Sequence, residues 1–183
     1  MDYYIDIQLK PDAEFRINVL LNKVVTKFHK ALFEMNANDI GISFPNYKTL
    51  LGNKIRLHGS ENRLQELNAA NWLGGLSGYC AITDIQKIPD VVEYRTVSRK
   101  QQNMTNAKLK RLTKRGSITE QEAKQYRIKM YSQGLSEAYI ELESASNGHK
   151  HRRYIAIGDL QGQPVDGVFD HFGLSKTATI PWF

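Results

Sequence analysis

His29 lies in the run KFHKAL, at the margin of an apolar stripe with helical spacing, one turn from Val25 and one from Phe33. An imidazole titrates near 6.5, so it can take or give a proton near neutral pH. The spacing alone fits equally a boundary histidine with one nitrogen in water. Ser144 and Ser146 precede Asn147-Gly148, and their hydroxyls suit either a substrate contact or an ordinary turn. His149, Lys150, His151, Arg152 and Arg153 follow as a short basic cluster. There is no paired-cysteine or His-x-x-x-His spacing of the kind that holds zinc. There is no G-x-x-x-x-G-K-[ST] loop either, and GLSK at 173–176 does not match it. A G-x-S-x-G nucleophile elbow is also missing. Nucleolytic chemistry on this chain is therefore expected to be metal-free. RNA permits that, because its own 2′-hydroxyl is a tethered nucleophile with a large effective concentration.

A second feature points to the same class of substrate. Residues 94–115, YRTVSRKQQNMTNAKLKRLTKR, hold eight Lys or Arg and no Asp or Glu. The whole chain carries +6, so the rest sums to −2 and the basicity is local. Such a surface implies a polyanion, with nucleic acid ahead of an anionic membrane. A membrane-binding helix would show large apolar or aromatic residues on its other face, and this segment has few. Arg99 and Gln101 are side-chain types that can grip guanine and adenine edges.

The elements that must position these groups can be read from periodicity. Tyr3, Ile5, Ile7 and Leu9 alternate as a strand, and Pro11 ends it. Ile17 to Met35 has the apolar spacing of a helix, with Lys23, Lys27 and Lys30 on the other side. Segments 40–44 and 54–59 read as strands, 61–73 as a helix and 79–88 as a fourth strand. The order is β-α-β-β-α-β, so the expected fold class is α+β with a ferredoxin-like first domain over 1–92. Pro89 marks the boundary region. The second region, 93–183, is expected to hold a linker, a basic helix over 107–115 capped at Thr105 or Asn106, a β-hairpin over 138–158 and C-terminal strands. In the basic helix, Lys108, Arg111 and Arg115 share a face with Lys110 and Lys114 beside it, while Leu109 and Leu112 point toward the core. Thr119 and Glu122 form a capping-box pattern for one more helix, to about Tyr131.

No apolar run approaches the roughly 20 residues needed to span a bilayer. No secretory leader pattern opens the chain. With a single cysteine, Cys80, a reducing cytoplasmic setting is expected.

Taken in order, MDYYIDIQLKPDAEF, KFHKAL, IGISFP, YRTVSRKQ, ESASNG, FGLSK and the closing PWF carry a resemblance. The chain resembles the type I-F CRISPR repeat endoribonucleases, the Csy group, over essentially its whole length. The resemblance implies that His29 is the catalytic histidine, that Ser144 holds the attacking ribose and that Ser146 supports it. It implies that Arg99 and Gln101 read bases at the foot of an RNA stem. Lys108, Lys110, Arg111, Lys114 and Arg115 would then lie on the helix that tracks the hairpin backbone. His151, Arg152 and Phe172 complete the expected RNA-binding set.

The implied reaction uses no metal or cofactor, cuts just 3′ of the stem, leaves a 2′,3′-cyclic phosphate and keeps the product bound. The implied partners are the CRISPR repeat hairpin RNA and other subunits of a type I-F interference complex. No membrane is expected, and outside the complex the chain is expected to be a monomer. The chain departs from the family pattern at three points. Phe172 stands where a tyrosine is common, His151 replaces an aromatic that stacks on the stem's basal pair, and the basic helix is rich in lysine, which lacks the bidentate fork of arginine. The missing Phe172 hydroxyl keeps an alternative in view: a hairpin-binding scaffold subunit that does not cut.

Overall fold

Period-two alternation over Tyr3–Leu9 gives strand β1, with Ile5, Ile7 and Leu9 almost wholly buried on one face and Asp6 on the other. In the computed structural model, which describes residues 1–101, 104–132, 137–143 and 148–183, β1 lies inside an antiparallel sheet. Its partners are β2 (Gly41–Ser43), β3 (Lys54–Gly59) and β4 (Cys80–Ile82), in the order β2-β3-β1-β4, with β5 (Gln86–Lys87) also pairing β1. Helices α1 (Ile17–Glu34) and α2 (Glu61–Ala69) complete the ferredoxin-like βαββαβ arrangement expected from the pattern.

The stripe of Leu20, Leu21, Val24, Val25, Phe28, Ala31 and Leu32 on α1 packs into the core that Ile5, Ile7, Leu9, Ile55, Leu57, Leu64 and Leu67 also build. The helix stops because Asn36 takes a left-handed φ of 46°. The Ala37 N–H then reaches back to the Leu32 carbonyl and the Asn36 N–H to Phe33. This double bond pattern satisfies the end of the helix.

The structure revises two expected elements. The fourth strand is broken. Ile7 pairs with Ile82 and Tyr4 with Gln86, so one extra residue bulges out of the ladder between them. The Thr83 hydroxyl takes over part of the pairing by accepting from the Asp6 N–H at 3.0 Å. The helix expected over 61–73 ends at Ala69, because Asn71 turns left-handed at φ 45°, and a 3₁₀ turn follows over Gly74–Tyr79.

The second half supplies β6 (Glu93–Arg95), β7 (Val97–Lys100), α3 (Asn106–Lys114), α4 (Glu120–Ser132), β8 (Tyr139–Glu143), β9 (Lys150–Ile157) and β10 (Ile180–Trp182). The expected hairpin is β8 paired with β9, and β7 lies on its other side. The caps are as read from sequence. Thr105 accepts from the Lys108 N–H at 3.1 Å, and Thr119 and Glu122 form the reciprocal box. Leu109 is buried, but outside the main core: α3 packs on α4, where Ala123 is also buried, and Tyr126 hydroxyl accepts from the Thr105 N–H at 3.0 Å. Among the described residues, no helix is long and apolar enough to cross a membrane.

The end of the chain lies over the polar face of the first sheet, where a buried ion pair anchors it. Arg56 donates to both Asp6 oxygens, at 2.6 and 2.9 Å, and to the Phe183 carbonyl at 2.9 Å. Its guanidinium carbon lies over both the Tyr4 and the Phe183 ring, 4.5 and 4.0 Å from their centroids. Burial opposes charge on Asp6, but the Arg56 bonds and charge outweigh it and hold the carboxyl below its ordinary range. β10 pairs β6, with Ile180 opposite Arg95. This clasp brings residues 169–175 alongside α1 and β2.

Candidate active site

The chain beside His29 is a tight turn wound on one aspartate. Asp170 Oδ1 accepts the N–H groups of Phe172 and Leu174 at 2.8 and 3.0 Å, and its own carbonyl accepts from Gly173 at 2.8 Å. Gly173 has φ 71°, and its carbonyl accepts from the Ile42 N–H at 3.0 Å. A Cβ at Gly173 would stand 3.0 Å from that same Ile42 nitrogen, so only glycine lets the turn dock on β2. Ser175 continues the anchor through its N–H to the Val97 carbonyl at 2.9 Å.

This turn orients His29, which is half-buried near the end of α1. The His171 carbonyl lies 2.8 Å from His29 Nδ1. A carbonyl can only accept, so Nδ1 carries the proton, and in the neutral ring Nε2 is the lone-pair nitrogen. The Phe172 ring stacks on the imidazole, with centroids 3.7 Å apart and planes 11° from parallel. Burial is the main influence pushing His29 below its ordinary pKa. The His171 carbonyl pulls upward, the Arg153 charge pushes down again, and the net direction is down. The neutral form is favoured at neutral pH.

Behind Phe172 stands Arg153 of β9, its guanidinium carbon 3.6 Å from the ring centroid. Asp170 Oδ2 is 3.5 Å from its Nη1. Arg153 lines a cleft together with Arg99, Gln101, Asp170, Ser175 and Lys176. Burial, then the charge of Arg99, pushes the Arg153 guanidinium below its ordinary pKa, and Asp170 opposes the shift.

A second histidine sits in a contrasting environment. His58 on β3 is 0 % exposed, and its Nε2 is 2.8 Å from Ser43 Oγ. Burial drives its pKa to about 3, and it has no open side for a substrate.

The expected site residues therefore fall into five groups. His29 and Phe172 are brought together, and Phe172, 9 % exposed, gives its two faces to His29 and Arg153. Arg99 and Gln101 share the cleft with Arg153. Lys108, Lys110, Arg111, Lys114 and Arg115 are exposed along α3 and its C-terminal cap. His151 and Arg152 are exposed on β9, where Arg152 stacks on Tyr139 at 4.3 Å and lies 3.8 Å from Glu141. Ser144 and Ser146 lie outside the described residues. Asp170 and Lys176 were not singled out from sequence, and Arg153 was read only as one member of the basic cluster 149–153. For Asp170 the local signal was its side chain two residues before Phe172, a spacing suited to a side-chain-closed turn. Among the described residues, no group of three His, Cys, Asp or Glu is placed to hold a metal ion.

Comparison with known proteins accounts for the ordered motifs. The family model described as "CRISPR-associated protein (Cas_Csy4)" matches residues 4–183. A protein of Escherichia coli (strain UTI89 / UPEC) named "CRISPR-associated endonuclease Cas6/Csy4" is 36% identical over 184 residues, covering 100% of both chains. A protein of the same name from Pseudomonas aeruginosa (strain UCBPP-PA14) is 35% identical over 187 residues, again covering 100% of each. A weak likeness, with TM-score 0.40 and 11% identity over 99% of this chain and 100% of the other, is to the solved structure titled "Structure A of CRISPR endoribonuclease Cse3 bound to 19 nt RNA". With the motifs in order from end to end and two full-length relatives above 30% identity, the chain belongs to the Cas6/Csy4 family of CRISPR-associated endonucleases.

Proposed function

We propose that this protein is a metal-independent endoribonuclease that binds the stem-loop of CRISPR repeat RNA and cuts it 3′ of the stem. The observation that carries the reading is the tautomer of His29. With Nδ1–H donated to the His171 carbonyl and burial favouring the neutral ring, Nε2 holds the lone pair that can accept a proton. In the proposed step, Nε2 takes the proton of the 2′-hydroxyl upstream of the scissile phosphate. The 2′-oxygen forms a bond to phosphorus, the bond to the 5′-oxygen breaks, and that oxygen leaves with a proton from solvent. The products are a 2′,3′-cyclic phosphate and a 5′-hydroxyl, and no water is consumed.

Ser144, supported by Ser146, holds the attacking ribose. Residues 1–92 carry the base and 93–183 the grip on RNA. Arg99 and Gln101 set the register at the stem's foot, while α3 and the exposed β9 residues His151 and Arg152 bind its backbone. The processed RNA stays bound, and the protein serves inside a type I-F interference complex in the cytoplasm. A hydroxyl at position 172 is not required for orientation, because the backbone carbonyl of His171 supplies it.

The test is cleavage of a repeat-hairpin RNA in excess EDTA, with the ends identified chemically. One cut with a cyclic-phosphate end is expected. A 2′-deoxy substitution at the single nucleotide upstream of the cut should abolish cleavage and leave binding intact. Cleavage that persists on the deoxy substrate, or that requires a divalent ion, overturns the mechanism. Tight binding with no cut under any condition makes the protein a hairpin-binding scaffold instead.

A further inference from the structure

The His29 ring and the Arg153 guanidinium both lie within 4 Å of the Phe172 centroid, at 3.7 and 3.6 Å. Two groups at that height cannot share one face of a ring without colliding, so they occupy opposite faces. The order through the stack is imidazole, phenyl, guanidinium. Arg153 is fixed in it: its side chain is 12 % exposed and pairs with Asp170, the residue whose other oxygen holds the Phe172 and Leu174 N–H groups. One aromatic–cation contact and one ion pair thus converge on a single arginine.

The electrostatic consequence follows from distance. The cation and the imidazole are roughly 7 Å apart across a hydrocarbon ring that excludes water, where one unit charge opposes another by more than it does in bulk solvent. The charged groups facing His29 are Arg153 from β9, and Asp170 and His171 from the C-terminal turn. Arg153 and His171 disfavour a proton on the ring, and Asp170 favours one. Arg99 in turn bears on Arg153 from the cleft side.

We propose that Arg153 is a positioning residue for the reaction: it clamps Phe172 against His29 and, by its fixed positive charge, keeps the imidazole in the uncharged form that can accept the ribose proton. This deepens the reading in which His29 is the base, and rests on it. Arg153 takes over part of what a hydroxyl at position 172 could do, by a different means. It acts through Phe172 rather than on the reacting atoms.

The experiment is a nuclear magnetic resonance titration of the full-length protein without RNA, following the His29 ring proton, paired with single-turnover cleavage of repeat-hairpin RNA across pH. For R153Q the His29 midpoint should move up by several tenths of a pH unit or more. The acid limb of the cleavage profile should move up with it, so the loss of rate is larger at pH 6 than at pH 8. R153K keeps the charge, and its midpoint should stay near that of the unaltered protein. D170N keeps an oxygen that can accept the Phe172 and Leu174 N–H groups but removes the negative charge, so its midpoint should move down. A His29 midpoint that does not move in R153Q, or that moves the same way in R153Q and D170N, overturns the role of Arg153. A midpoint that moves while the cleavage profile does not overturns His29 as the base, and with it the reading on which this inference rests.

Discussion

The helix that carries His29 and the helix that carries the basic run are seated in opposite ways. Helix α1 buries seven side chains in the main core, so its axial position and rotation are both fixed; α3 buries one, Leu109, in a small contact with α4 outside that core. The difference matches the two proposed tasks. A base must hold its nitrogen to within a fraction of an ångström of the productive position. A cationic surface does not need that precision, because Coulomb attraction falls gradually with distance and does not depend on orientation. Packing goes to the residue that needs geometry, and charge density to the surface that needs only proximity.

Three sets of substitutions break or sharpen that contrast. The largest effect belongs to His29→Ala. It should lower single-turnover cleavage by about 10²–10⁴-fold, the usual contribution of a positioned proton acceptor, while hairpin affinity measured by filter binding stays essentially unchanged. Next come two leucines of equal size. Leu57→Ala, in the sheet of the main core, should cost about 3 kcal/mol in urea unfolding. Leu109→Ala should cost clearly less global stability and instead weaken hairpin binding, because it loosens only the seat of α3. Equal losses of global stability for both would mean that α3 unfolds together with the core and that the contrast is false. The smallest effect is expected from Lys110→Gln or Lys114→Gln. Each should weaken binding a few-fold at low salt and reduce the slope of log affinity against log salt by about 1, with cleavage of bound RNA unaffected. A change in the cleavage rate of saturated complexes would show that α3 also sets geometry.

Much of this molecule could be read along the chain, because the readable features are local. The alternation over Tyr3–Leu9, the helical stripe from Ile17, the box of Thr119 and Glu122, and the acid-free basic run are all properties of neighbours in sequence, and each formed as expected. Local reading failed where a longer-range partner intervened. The strand expected over 79–88 is bulged because Thr83 exchanges bonds with Asp6 of β1, and Leu109 left the main core for a neighbouring helix.

By itself, the sequence determined the ferredoxin-like element order, the place of the cationic helix and the candidacy of His29 as a proton acceptor. Tertiary structure alone decided which nitrogen of that ring bears the proton, and that Phe172 and Arg153 stand behind it. The reason is distance along the chain. The carbonyl that orients His29 is 142 residues away, brought there by the Arg56 clasp on the C-terminal segment and by a glycine turn docked on β2. No periodicity or spacing can encode a contact that exists only after the core has closed.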